Sequence, residues 1–247
     1  MSGMDVNQSP SQPTAAGLDA YGRRRIVQVL STLIIAVVVI FICAGSLRFL
    51  WGWVYLGVSL VSLAFGAAYV LKHNPQAINE RGRPAEGQKG WDKILMLLYL
   101  PLFISVYVVA GLDARFDWSG TYFSSVPLWL HLLGVLFSFA SSVLTYAAMA
   151  HNKFLSMYVQ VAGDRGHQVA TGGPYRYLRH PMYLSLVLSW PALALFLGSY
   201  FALIPGLWAS LIIIIRTGME DCTLQSKLPG YTDYASQVRY RLLPGVW

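Results

Sequence analysis

Apolar residues in this chain come in long blocks rather than in alternation with polar ones. The first block runs from Ile26 to about Leu47, directly after Arg23, Arg24 and Arg25. A second covers about Leu50–Leu71, a third Ile94–Leu112 and a fourth Pro127–Ala150. Each approaches the ~20 residues that an α-helix needs to cross ~30 Å of hydrocarbon. The first block is too long for a signal-peptide core and lacks a convincing small-residue cleavage site, so it reads as a retained span. The stretch from Met182 to Ile215 is different: 34 uncharged residues, too many for one span. Pro191, Gly198, Pro205 and Gly206 break it into two runs of roughly 16 residues, each ~24 Å long at the helical rise. Such runs are short for a full crossing and predict a helical hairpin, tilted or packed against other helices. The pattern therefore predicts an all-α integral membrane protein, with about four single transmembrane helices and a C-terminal helical hairpin.

Composition agrees with that reading. Of 247 residues, 55% are hydrophobic and 12% charged, against about 25% charged in a soluble domain. Mean hydropathy is +0.50. Residues 1–22, which include "NQSPSQPTAAG", are small, polar and proline-bearing and read as a disordered tail. Residues 23–149 hold the single spans, and 150–247 hold the hairpin with its polar flanks. Placing the N-terminus in the cytoplasm puts 16 of the 18 Lys and Arg residues inside, leaving Arg48 and Arg115 outside. That asymmetry predicts cytoplasmic N- and C-termini. Cys43 and Cys222 fall at different depths, so neither a disulfide nor a cysteine metal site is expected, and no His/Cys/carboxylate spacing suits zinc. A transporter is disfavoured, because the expected spans hold no carboxylate and His131 is the one ionisable side chain near them.

The expected cytoplasmic face gathers the chemistry. Before the hairpin lies "QVAGDRGHQVATGGPYRYLRHPMY", residues 160–183, and after it "RTGMEDCTLQSKLPGYTDYASQVRYRLLPGVW", residues 216–247. A hairpin returns the chain to the face it left, so these segments can meet. Taken singly, the features have plain explanations. Gly172-Gly173-Pro174 suits a turn, and Arg176 and Arg179 suit contacts to lipid phosphates. His180-Pro181 suits a helix start, and Arg216 suits a snorkelling end cap. Glu220 and Asp221 fit less well, because acids near a helix C-terminus oppose its dipole. An Arg216–Glu220 pair at i,i+4 is sterically possible.

Taken together, the segment His167–Tyr183, "HQVATGGPYRYLRHPMY", resembles the signature of the isoprenylcysteine carboxyl methyltransferase family, itself related to the phospholipid N-methyltransferases. The closing motif resembles that family too, in "R-x-x-x-E-D-x-x-L" from Arg216 and "L-P-G-Y-x-x-Y-x-x-x-V" from Leu228. The likeness covers roughly residues 150–247, and it implies S-adenosylmethionine as cofactor. It implies cofactor contacts at Gln160, at His167, Gln168, Val169 and Ala170, at Tyr175, at His180, Pro181, Met182 and Tyr183, and at Glu220. It implies that Arg216 faces the substrate and that Arg216 and Glu220 carry the catalytic roles. Asp221 stands where the family has a second Glu, and Pro229-Gly230 where it has Phe-Gly.

Elementary chemistry fits these assignments. A methyl sulfonium is already activated, so transfer needs chiefly an in-line nucleophile and positioning. A carboxylate such as Glu220 suits the cofactor ammonium, and His180 or Tyr175 can donate to its carboxylate. Backbone groups along His167–Ala170 can read the adenine edge. A carboxylate acceptor needs no general base, only a cation such as Arg216. The stripe of Tyr231, Tyr234 and Val238 predicts a short covering helix. The expected partners are membrane lipids and a lipophilic acceptor entering from the bilayer, not nucleic acid. The acceptor expected is an isoprenylcysteine-like carboxylate, with phospholipid or small-molecule N- or S-methylation as the alternative. A sterol or polyprenyl reductase using NADPH is disfavoured, because such enzymes resemble an Arg-His-x-Asn-Tyr pattern where this chain has Arg179-His180-Pro181-Met182-Tyr183. From another class, a non-catalytic lipid-binding membrane protein would not need both charged motifs.

Overall fold

The computed structural model describes residues 17–84, 87–120, 126–159 and 167–247. These residues build helices α1 (Ala20–Ala44), α2 (Leu50–His73), α3 (Pro75–Gly82), α4 (Gly90–Phe116) and α5 (Leu128–His151). A 3₁₀ turn at Gly173–Arg176 leads into α6 (Pro181–Leu197), α7 (Leu203–Lys227) and α8 (Tyr231–Gln237). No strand occurs among the described residues. Five helices, α1, α2, α4, α5 and α7, are long and apolar enough to cross a membrane, and α6 is a shorter apolar helix. The all-α hairpin architecture expected from the sequence is the one observed.

Local chemistry sets the helix limits. Asp19 accepts a hydrogen bond from the Gly22 amide at 2.9 Å and so caps α1. The helix thus begins before the three arginines, within the stretch expected to be tail. Pro75 and Pro181 occupy the first turns of α3 and α6, where their missing amide leaves no bond unmade. Gly198, at φ 76°, ends α6 in the left-handed conformation that glycine adopts without strain.

The hairpin differs from expectation in one respect. Its two arms are unequal: α6 has 17 residues and α7 has 25. The second arm does not stop where the apolar run stops at Ile215. Helix α7 continues through Lys227 and carries Arg216, Glu220 and Asp221 out of the apolar stretch on a rigid element. The short helix α3 was not anticipated, since its polar sequence reads as a loop between spans.

Small residues let the helices approach closely, the usual route to helix packing where lipid offers no hydrophobic drive. A Cβ on Gly134 of α5 would lie 2.3 Å from the Phe196 amide nitrogen, and one on Gly111 of α4 would lie 2.7 Å from the Ile40 carbonyl oxygen. One apolar core joins α1, α4, α6 and α7 through Ile40, Val106, Ala110, Trp190, Leu197 and Ala209. Large side chains such as Ile42, Phe65 and Leu97 stay exposed on the outer faces, as lipid-facing positions should be. The end of the hairpin far from the polar segments is pinned by buried Asp113. It accepts hydrogen bonds from the Ser119 amide and hydroxyl, at 2.7 and 2.6 Å, and from the Ser199 hydroxyl at 2.5 Å. His131 is structural: it stacks on Trp51 at 3.9 Å and its Nδ1 donates to the Phe196 carbonyl at 2.9 Å.

Candidate functional site

The two polar segments that flank the hairpin do meet, and a buried carboxylate holds them together. Asp221 Oδ1 accepts from Tyr231 Oη at 2.9 Å and pairs with His180 Nε2 at 3.2 Å. Its Oδ2 accepts from Arg179 Nη1 at 2.9 Å, Arg241 Nε at 2.9 Å and Gln225 Nε2 at 2.7 Å. Asp221 is wholly buried. Two guanidiniums and a full set of donors are what a carboxylate in that position requires. The backbone joins in, since the Arg179 and His180 amides donate to the Tyr240 and Arg241 carbonyls at 3.0 Å each. Asp221 thereby ties the approach to α6, the end of α7 and the C-terminal strap into one unit.

Helix α8 closes that unit as expected. Tyr231 and Tyr234 are buried and pack with Val169, Leu224 and Val238, and Tyr234 Oη donates to the Tyr175 carbonyl at 2.7 Å. Burial pushes the Tyr231 phenol well above the ordinary tyrosine value, and the adjoining Asp221 charge pushes it further. Burial likewise raises Tyr175 and Tyr234. Gly173 shows why the Gly-Gly-Pro turn needs glycine: its φ is +54°, and a Cβ there would meet the His151 ring at 2.6 Å. The approach to α6 can thus pass close over the end of α5.

Beneath α8 lies a cleft of about 690 Å³, partly open to solvent. Its walls include His167, Gln168, Val169, Ala170, Tyr175, His180, Met182, Tyr183 and Glu220. These are residues that the sequence pattern singled out for a cofactor. The Glu220 carboxylate accepts a 2.5 Å hydrogen bond from Tyr183 Oη, and the Phe154 and His167 rings sit 4.8 Å apart. Residues 167–170 run along the cleft wall outside any helix or strand. One acid and several aromatic rings suit a ligand with an ammonium at one end and a base at the other.

Three expected positions behave differently. Pro181 is buried in the first turn of α6 and does not line the cleft. Gln160 lies outside the described residues. Arg216 is 4% exposed and lies beside the cleft rather than in its wall. It does not pair with Glu220. Its Nε donates to Asp92 Oδ1 at 2.7 Å, its Nη2 to the Met157 carbonyl at 2.8 Å, and its Cζ sits 5.2 Å from the Tyr183 ring centre.

Asp92 is the main residue that sequence reasoning missed. It is fully buried at the start of α4 and also accepts from Gln88 Nε2 at 2.9 Å and from the Val159 amide at 3.1 Å. Set between Lys89 and Lys93, it looks in sequence like a solvated helix end, and no local signal distinguishes it. The segment after α5 was missed as well, with Asn152, Phe154, Ser156 and Tyr158 all on the cleft wall. Asn152 Nδ2 donates to Tyr175 Oη at 3.3 Å.

Comparison with known proteins bears on this geometry. Residues 129–228 match the phospholipid methyltransferase family. That segment runs from the first turn of α5 to the end of α7 and contains most of the cleft. No curated protein matches the chain by sequence. Four solved chains are similar to it. One is the eukaryotic intramembrane Ras methyltransferase, isoprenylcysteine carboxyl methyltransferase, at 17% identity and a TM-score of 0.50, over 93% of this chain and 99% of that one. At that identity the likeness is one of fold. Family match and fold agree with the resemblance carried by the two motifs.

Proposed function

We propose that this chain, a multi-pass membrane protein of the phospholipid and isoprenylcysteine carboxyl methyltransferase type, uses S-adenosylmethionine to methylate a lipophilic acceptor, with an isoprenylcysteine-like carboxylate as the acceptor class. The observation that carries this reading is the cleft itself, where Glu220, the backbone of His167–Ala170 and the His180–Tyr183 turn converge under α8. Bound there, the cofactor supplies a methyl group on a sulfonium, which a carboxylate can accept without giving up a proton. Glu220 pairs with the cofactor ammonium, and Tyr183 holds the Glu220 carboxylate in place. Backbone groups at His167–Ala170 bond the adenine edge. Tyr175 and His180 face the carboxylate end, with His180 oriented by Asp221. Helix α8 covers one side of the cleft through Tyr231.

Arg216 orients the acceptor, and Asp92 keeps its guanidinium in one plane through the Nε and Nη2 bonds. Holding the reacting groups in line supplies most of the rate in a transfer of this kind. The site lies on the cytoplasmic side, with both termini cytoplasmic, by the distribution of basic residues. An amine acceptor on a phospholipid is the second reading, supported by the family match over residues 129–228.

The test is chemical. Purified protein is incubated with methyl-labelled S-adenosylmethionine and a membrane lipid extract, and the labelled lipid-phase product is identified. A base-labile methyl ester supports the carboxylate reading, and a base-stable methylamine replaces it with the second. Label that never leaves the aqueous phase contradicts both.

A further inference from the structure

Two further guanidiniums stand beside Arg216 and have no carboxylate. Arg25, on α1, is within hydrogen-bond reach of the Met157 thioether at 3.0 Å. Arg81, on α3, stands 3.0 Å from the Met182 thioether. Both side chains are half-buried, and no described carboxylate lies within ion-pairing distance of either. A thioether sulfur is a weak acceptor, so neither cation has a counter-charge matching its burial.

These contacts place the pair next to the reacting site. Met157 also accepts from Arg216 through its carbonyl, so Arg25 and Arg216 converge on one residue. Met182 is a wall of the cleft and precedes Tyr183, whose ring lies under the Arg216 guanidinium. The neighbouring carboxylates are committed elsewhere. Asp19 and Glu80 pair with Arg83, at 3.7 and 2.9 Å, Asp92 pairs with Arg216, and Glu220 accepts from Tyr183. Burial, and after it the charge of Arg25, lowers the Arg81 pKa from its ordinary value, with Arg216 acting in the same direction.

A cation in the last turn of a helix such as α3 is often only an end cap facing water. Arg81 instead reaches inward to the first turn of α6, and Arg25, from another helix, lies close enough for its charge to act on Arg81. Three guanidiniums against two carboxylates, Asp92 and Glu220, leave a local excess of positive charge. A cofactor carrying a sulfonium would add to that excess.

We propose that Arg25 and Arg81 form a binding site for the anionic head group, carboxylate or phosphate, of a membrane-borne amphiphile, seated between the N-terminal helices and the cofactor cleft. This deepens the methyltransferase reading and rests on it: the first helices, which match no catalytic motif, supply the charge that selects an acidic acceptor. Two guanidiniums from separate helices fit such a head group as a fork of donors, and Arg216 completes the ring.

The test uses full-length protein in neutral detergent, loaded with S-adenosylhomocysteine, with binding followed by calorimetry. N-acetyl-S-geranylcysteine is compared with its carboxamide, and phosphatidic acid with phosphatidylcholine. At least one acidic probe is expected to bind about tenfold or more tightly than its neutral counterpart, the step that charge-assisted bonds give. Arg25→Gln with Arg81→Gln should erase that preference while the affinity for S-adenosylhomocysteine changes by less than about threefold, a step smaller than one charge-assisted bond. A preference seen with geranylcysteine assigns the site to the acceptor, and one seen only with phosphatidic acid assigns it to a lipid head group. Should the double variant lose the cofactor as well, Arg25→Lys and Arg81→Lys singly are each expected to retain the acid preference. No preference in the wild type, or a preference that survives both glutamine substitutions, overturns the site. If wild-type protein fails to bind S-adenosylhomocysteine at all, the methyltransferase reading itself has failed.

Discussion

Asp221→Asn keeps the shape of the residue that joins the strap to α7 and removes its charge. The wild-type carboxylate faces two guanidiniums, Arg179 and Arg241, whose side chains are 7% and 27% exposed. Breaking a buried pair from one side costs about 3–5 kcal/mol, because the abandoned charge stays desolvated. Water can reach Arg241 and recover part of that cost, whereas Arg179 cannot be reached in the same way. The lower end, about 3 kcal/mol, is therefore the appropriate magnitude, or roughly a hundredfold shift toward the undocked strap at about 1.4 kcal/mol per factor of ten. Undocking frees Arg241, which is partly buried in the docked strap, for trypsin. Where opening is fast, cleavage follows the population of the open form, so cleavage at Arg241 should rise by about the same hundredfold. The assay is limited proteolysis in detergent with mass analysis of the released C-terminal peptide. Cleavage within about threefold of wild type, a change of well under 1 kcal/mol, would refute the idea that Asp221 carries the docking.

Three more outcomes are expected. Glu220→Gln preserves shape but removes a charge-assisted bond, so affinity for S-adenosylmethionine measured by calorimetry should fall about ten- to a hundredfold. Arg216→Lys and Asp92→Asn should both lower turnover while cofactor affinity stays near normal, because one loses the planar fork and the other its positioning partner; equal losses in affinity and turnover would place the pair in the fold alone. The buried phenols of Tyr175, Tyr231 and Tyr234 keep their protons above the ordinary tyrosine value. The unfolded chain releases those protons near pH ~10. Their contribution is therefore whole below about pH 10 and is lost as pH rises further, toward the folded-state values. Trypsin sensitivity of the strap should increase in parallel, and strap docking unchanged between pH 9 and 11.5 would contradict that linkage.

Most of the helical frame was legible because membrane spans announce themselves by length and by lack of charge. The hairpin was legible for the same reason, together with the glycine and proline breaks. Its second arm was misjudged because a helix does not end where apolar residues end. Arg216–Lys227 continues α7 as a polar face, its Asp221 satisfied by groups far along the chain. The cleft wall from His167 to Tyr183 could be read because it is contiguous in sequence and sits beside the hairpin. Asp92 could not, since its partner Arg216 is 124 positions away and neither residue marks the other. The same holds for Arg25 and Arg81, which read as positive-inside anchors until α1, α3 and α6 are brought together.

Calorimetric titration of the purified wild-type protein with S-adenosylmethionine, S-adenosylhomocysteine and NADPH tests the central claim most directly. Saturable one-to-one binding of both methyl-cofactor forms, with no heat from NADPH, is the expected result. Binding of NADPH with no response to either methyl-cofactor form would contradict the assignment of the cleft.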